Sequence, residues 1–120
     1  MRIFSCAQVN NARALGTWLS YDDLIHMVEQ SINTPVTGFT VVYGISNNDR
    51  RVVDNTKASF LGYRPKDNAE QFAEQILAET PVLDHSDPEH SLIGGPFAVV
   101  EIGNSGLATM NVVDDTKKVD

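Results

Sequence analysis

Between Ser20 and Gly44 the chain changes its hydrophobic rhythm once, and that change limits the folds open to it. In "SYDDLIHMVEQSINTP" the residues Leu24, Ile25, Met27, Val28 and Ile32 recur at helical spacing. Ser20 stands where its hydroxyl can cap the first free N–H groups, and Asp22 and Asp23 lie where the helix dipole favours negative charge. Ser20 with Asp23 approximates a capping box, and Pro35 ends the segment. "GFTVVYGIS" follows, β-branched and aromatic from Phe39 to Tyr43 and bounded by Gly38 and Gly44. Its near-continuous apolarity is that of a strand buried on both faces, as in a parallel sheet or in a two-sided core of another kind.

The flanking segments extend this alternation. "RIFSC" at 2–6 reads as the end of a strand, with only Ile3 and Phe4 before polar residues take over, and "AQVNNARALG" reads as a loop. Asn55 can cap a short helix that runs to Leu61 and stops at Gly62. Asp67 or Asn68 caps another, with Phe72, Ala73, Ile76 and Leu77 on one face and Pro81 after it. "DHSDPEHS" is a polar loop and "PFAVVEIG" a strand. The expected order is strand stub, helix, strand, two helices, strand, which is an α/β pattern whose front strands are missing.

The totals exclude several functions. A length of 120 residues provides one modest core. A net charge of -7 leaves no basic surface for nucleic acid or an anionic membrane. The densest positive sites, Arg50-Arg51 and Lys117-Lys118, are set among acids. A single cysteine, Cys6, excludes an internal disulfide and a cysteine-based zinc site. No apolar run approaches the ~18 residues of a membrane span, and no signal-peptide core is present, so the expected compartment is the cytoplasm.

Few residues carry chemistry. Gly103 and Gly106 have the spacing of half a dinucleotide-binding turn, but Thr109 takes the next position, and a polar turn is the expected reading. Tyr21, Tyr43 and Tyr63 are followed four positions later by Ile25, Asn47 and Asp67, so none forms the tyrosine–lysine pair of a short-chain dehydrogenase. "HSDPEH" at 85–90 gathers two histidines and two carboxylates, but Pro88 breaks any periodicity, and a solvated loop is expected there, not a metal site. His26 is expected to pair with Asp22 on the helix surface. Arg13 stands beyond a strand end, where α/β sheets bind ligands; it reads either as an ordinary exposed arginine or as a guanidinium that clamps a carboxylate or phosphate.

In order along the chain, "RIFSC", "AR" at 12–13, "TWLSYDD" at 17–23, "TVVYGISNN" at 40–48, "DN" at 54–55, "LGYRPKDNAE" at 61–70 and "GGPF" at 94–97 resemble one family. It is the C-terminal portion of uronate dehydrogenases, within the extended short-chain dehydrogenase/reductase superfamily of NAD-dependent epimerases and dehydratases. The resemblance implies a fold: the C-terminal part of a Rossmann-like doubly wound sheet, without the N-terminal dinucleotide-binding strands. Residues 1–97 would be the substrate-binding portion and 98–120 a terminal strand and tail. It also implies that Ser5 contacts a sugar acid, that Arg13 holds its carboxylate, and that Cys6 lies against NAD. The family's glycine-rich turn, catalytic tyrosine and lysine lie upstream of every motif in these 120 residues.

The chain departs from the pattern in the loop between Cys6 and Arg13, which is about one residue short, in Phe4, where glycine is frequent, and in "VVDN" for "WWDN". "YGISNNDRR" is also similar to NAD-dependent glucose-6-phosphate dehydrogenases, which opens a sugar phosphate as the substrate. Three functions follow as expectations. The chain is a substrate-recognition half inactive alone, a subunit that complements a separate N-terminal half, or a stand-alone binding module that covers its apolar surfaces by self-association.

Overall fold

The computed structural model describes residues 1–100. They fall into two compact units, one over 1–82 and a second that begins at Leu83.

In the first unit β1 (Arg2–Ile3) pairs in parallel with β2 (Tyr43–Gly44), with Arg2 opposite Tyr43 and Ile3 opposite Gly44. The connection carries a short helix, α1 (Ala14–Thr17), and a long one, α2 (Tyr21–Asn33). This is a β-α-β unit, so the α/β pattern and the parallel pairing stand, in a sheet of two strands. Helix α2 starts as its sequence requires, because the Ser20 hydroxyl accepts the Asp23 N–H at 3.1 Å. Beyond β2 come a 3-10 helix over Thr56–Leu61, a second over Ala69–Phe72, and α3 (Ala73–Glu79). Asn68 caps the second by accepting the Glu70 N–H at 3.0 Å, and Gly62 stops the first at φ 80°.

Two apolar clusters hold this unit. Met27, Val42, Ala58, Leu61 and Tyr63 form one, with Leu24 against it. Leu15, Ala69, Ala73 and Ile76 form the other, flanked by Val9 and by Trp18, whose ring meets Phe72 edge-on at 5.5 Å.

Several local expectations are corrected. Pairing is confined to Tyr43–Gly44, and Phe39 is 100% exposed, so the run from Phe39 is not a strand buried on two faces. The partner strand is two residues long and extends no ladder back to Phe39. Of the apolar residues on α2 only Met27 is buried; Leu24 and Val28 are half-buried, and Ile25 and Ile32 face outward. Residues 14–17 are helical where a loop is expected, because Asn11 Oδ1 accepts the Ala14 N–H at 2.9 Å and starts the turn.

In the second unit, α4 (Pro88–Ser91) lies within the expected polar loop, capped by Asp87, and most of the segment around it is exposed. Gly95–Val99 is a 3-10 helix and not the start of a strand. Gly95 at φ 56° and the fixed φ of Pro96 turn the chain there. Gly103, Gly106, Thr109, Lys117 and Lys118 lie outside the described residues, as does most of 98–120. Among the described residues no helix is long and apolar enough to cross a membrane.

Candidate functional site

Past Phe4 the ends of β1 and β2 are tied together through a third piece of backbone. Ser5 donates its N–H to Thr17 O at 3.0 Å and accepts from the Leu19 N–H at 2.9 Å. Between those residues, Trp18 O accepts from the Ser46 N–H at 2.9 Å and from Asn48 Nδ2 at 2.8 Å. The turn from α1 into α2 is thus bonded to the chain on both sides, beyond the carboxyl ends of two parallel strands. In open α/β sheets that is where ligands bind.

The three residues singled out by sequence lie around this tie. Ser5 is half-buried, and its Oγ is 3.3 Å from Thr17 Oγ1. Thr17 Oγ1 in turn donates to Arg13 O at 3.4 Å. One buried hydroxyl therefore touches both the Ser5 side chain and the Arg13 backbone. Arg13 is half-buried at the start of α1. Cys6 follows Ser5, half-buried, and desolvation pushes its thiol pKa up, which keeps it neutral and unreactive near neutral pH.

A second group of polar residues supports the tie. Asn48 is 0% exposed; besides its bond to Trp18 O it accepts the Ala69 N–H at 2.9 Å. Asp23, also buried, accepts from Ser46 Oγ at 2.6 Å, Lys66 N at 2.8 Å and Asp67 N at 3.1 Å. The Ser46 hydroxyl accepts the Ser20 N–H at 2.9 Å. Tyr63 donates to Ile45 O at 2.8 Å; burial, with the Asp23 charge adding to it, raises its phenol pKa. Sequence reasoning used Asp23 only as a helix cap and did not identify Asn48, Ser46 or Thr17. Their signal lay in "SYDD" and "ISNN", polar residues set within otherwise apolar segments.

Other candidates resolve differently. His26 is not paired with Asp22: its Nε2 accepts the Arg64 N–H at 3.1 Å, and its ring meets Tyr63 at 5.7 Å. Asn55 does not cap the helix after it. Its amide spans Tyr43, accepting the N–H at 2.7 Å and donating to the carbonyl at 2.9 Å. Arg50 forks onto Glu70 at 2.8 and 2.9 Å, which lowers the glutamate pKa. In "HSDPEH" one acid serves a turn. Asp87 caps α4, and Asp84 just before the motif accepts from the Ser86 N–H and hydroxyl, which lowers its pKa. Among the described residues no three His, Cys, Asp or Glu side chains converge on a metal-sized space.

For a dinucleotide the fit is partial. A pyrophosphate cradle needs glycines between a strand and a helix N-terminus. Among the described residues the glycines with positive φ are Gly38, Gly62 and Gly95, and none joins a strand to a helix. The described residues offer Cys6 beside a strand end and no pyrophosphate turn.

No family model matches the chain. Uronate dehydrogenase from Agrobacterium fabrum is 44% identical over 98 residues, 81% of this chain and 37% of that protein. The one from Pseudomonas putida is 45% identical over 95 residues, 79% of this chain and 35% of that protein. Among solved structures, Agrobacterium tumefaciens uronate dehydrogenase superposes with a TM-score of 0.79 and 42% identity, over 87% of this chain and 40% of that one. Glucuronic acid dehydrogenase from Chromohalobacter salexigens gives 0.78 and 38%, over 83% and 38%. A tyrosine-to-alanine mutant of the Agrobacterium tumefaciens enzyme is complexed with NAD. The chain spans little more than a third of the curated relatives it matches.

Proposed function

We propose, from the premise that this chain is a homologue of uronate dehydrogenases over 81% of its length, that it is the sugar-acid-recognising, C-terminal portion of an NAD-dependent dehydrogenase. The observation that carries this reading is the Thr17 hydroxyl, which lies 3.3 Å from Ser5 Oγ and 3.4 Å from Arg13 O at the carboxyl ends of two parallel strands. A uronate presents one planar anion and a ring of hydroxyls. Arg13 suits the anion, because a guanidinium binds a carboxylate through two parallel hydrogen bonds. Ser5 suits a hydroxyl, and Cys6 marks the side on which NAD would lie.

NAD supplies the hydride acceptor in such a reaction; these residues bind and orient the sugar. The 120 residues contain no tyrosine followed four positions later by lysine. A positioned acid–base group is worth about 10²–10⁴ in rate, so binding residues alone do not turn over the sugar. Titration of the chain with galacturonate tests the reading. Galacturonate binds, galactose does not, and Arg13→Ala weakens galacturonate tenfold or more. Equal binding of the acid and the neutral sugar, or an indifferent Arg13→Ala, refutes it. Tighter binding of glucose 6-phosphate than of either uronate moves the substrate to the neighbouring branch, to which a Haloferax volcanii NAD-dependent glucose-6-phosphate dehydrogenase, 42% identical over 62 residues, belongs.

A second reading, activity by assembly with a separate dinucleotide-binding half, is favoured by the two edges of the small sheet. Asn55 closes the outer edge of β2 by occupying both backbone groups of Tyr43. Arg2 and Phe4 both donate to β2, at 2.8 and 3.1 Å, so Ile3 between them points its N–H and carbonyl away from β2. Ile3 is 51% exposed, and a strand can add there and at no point along Tyr43. Mixing the chain with the part of the Agrobacterium fabrum enzyme that it does not match should restore NADH formation from galacturonate, and Ile3→Pro should abolish it. An inactive mixture, or one indifferent to Ile3→Pro, argues for a free-standing binding module.

A further inference from the structure

The Thr17 hydroxyl has one hydrogen and two lone pairs. Its neighbour one turn back, Arg13 O, is a carbonyl oxygen and can only accept, so the Thr17 hydrogen is directed at it, 3.4 Å away. Threonine hydroxyls in helices commonly bond back to the carbonyl four residues earlier in this way. Thr17 is 5% exposed, which removes water as a competing acceptor. With that hydrogen committed, Thr17 Oγ1 can only accept from Ser5 Oγ at 3.3 Å. When that contact is made, it uses the Ser5 hydrogen.

We propose that Thr17 is a positioning residue that sets the polarity of Ser5: the chain Ser5 O–H to Thr17 O–H to Arg13 C=O leaves Ser5 Oγ only lone pairs for a ligand. The ligand group seated on Ser5 must then be a donor, a sugar hydroxyl carrying its hydrogen. An acceptor-only group in that place, such as fluorine, an ether or a keto oxygen, meets lone pair with lone pair and binds more weakly. The same hydroxyl that orders Ser5 also bonds the Arg13 carbonyl, which the Gly16 N–H already holds at 3.0 Å, so it links the donor-reading and carboxylate-reading residues. The proposal rests on the reading of Ser5 as a contact of the sugar acid.

The test measures discrimination. The full chain is titrated with galacturonate and with each singly deoxyfluorinated galacturonate, in which one hydroxyl donor becomes an acceptor of similar size. In the wild-type chain one analogue binds on the order of tenfold more weakly than galacturonate, as expected for a lost hydrogen bond beside an unpaired site group. Thr17→Val removes the acceptor that holds the Ser5 hydrogen, Ser5 becomes free to donate, and the penalty for that analogue falls to threefold or less. Thr17→Ser keeps the relay and keeps the penalty. A purely structural role for Thr17 lowers affinity for all ligands together and leaves the ratio unchanged, which overturns the proposal. Where Thr17→Val does not fold, the wild-type penalty must disappear in Ser5→Ala; a penalty that persists there also overturns it. If every fluorinated analogue binds as well as galacturonate, Ser5 is not an acceptor and the proposal fails while the binding function stands. If galacturonate itself does not bind, the binding function fails and this proposal falls with it.

Discussion

Asn48→Ala should destabilise the chain well beyond an ordinary single substitution. The side chain makes two bonds, from Nδ2 to Trp18 O and to Oδ1 from the Ala69 N–H, and is 0% exposed. The two losses differ. Trp18 O keeps the Ser46 N–H at 2.9 Å, so only one bond, about 1 kcal/mol, is lost there. Ala69 is fully buried, and its N–H would be left without an acceptor at about 1–3 kcal/mol. The sum is about 2–4 kcal/mol, or about 10–20 °C in Tm for a unit of this size. Urea and thermal unfolding followed by circular dichroism measure it, and a loss under about 0.5 kcal/mol refutes the two-bond reasoning.

The isosteric Asn48→Asp adds a check on sign. At neutral pH the new carboxylate can accept from Ala69 but has no hydrogen for Trp18 O, so the variant should be no more stable than Asn48→Ala. Burial raises the folded-state pKa of the introduced acid above its unfolded value of about 4. A raised value gives stability that is present below the unfolded pKa and lost as pH rises through the folded one. Acidification should therefore narrow its gap to wild type, as the protonated acid recovers the donor. A gap that widens on acidification contradicts the assigned direction of the Asn48 amide.

Three further outcomes follow from the same geometry. Tyr63→Phe should cost about 1–2 kcal/mol at neutral pH through the lost bond to Ile45 O. Because the Tyr63 pKa is raised in the fold, that advantage over phenylalanine should shrink as pH rises above about 10, read from paired melts; a gap independent of pH contradicts it. Gly16→Ala places a Cβ 2.7 Å from Arg50 O, a backbone atom, and should cost about 1–3 kcal/mol by overpacking, where an unchanged urea midpoint would remove the contact as a constraint. The exposed Phe39, Ile25, Ile32 and Val36 should make the chain bind hydrophobic dyes or self-associate, and a dye-silent monomer in sedimentation with a sharp high-temperature melt would count against this.

What sequence alone determined was local. The Ser20 cap, the Asn68 cap and the stop at Gly62 depend on atoms within a few residues of one another, so composition and spacing predict them. The alternation of β1, α2 and β2 was legible from hydrophobic period, but α1 and the 3-10 helix over Gly95–Val99 were not. Motif order pointed to Ser5, Cys6 and Arg13. Decisions between distant segments were not legible. The Asn55 amide stands twelve residues from the Tyr43 backbone that it closes, and His26 takes the Arg64 amide instead of its helical neighbour Asp22. Phe39 belongs to an apolar run, yet whether a strand forms there depends on its partner, and the pairing begins only at Arg2 opposite Tyr43. The polarity of Ser5 is of the same kind. A serine's own sequence context does not orient its hydrogen; the nearest committed acceptor does, and here that is a threonine twelve residues away, brought within 3.3 Å by the chain's return.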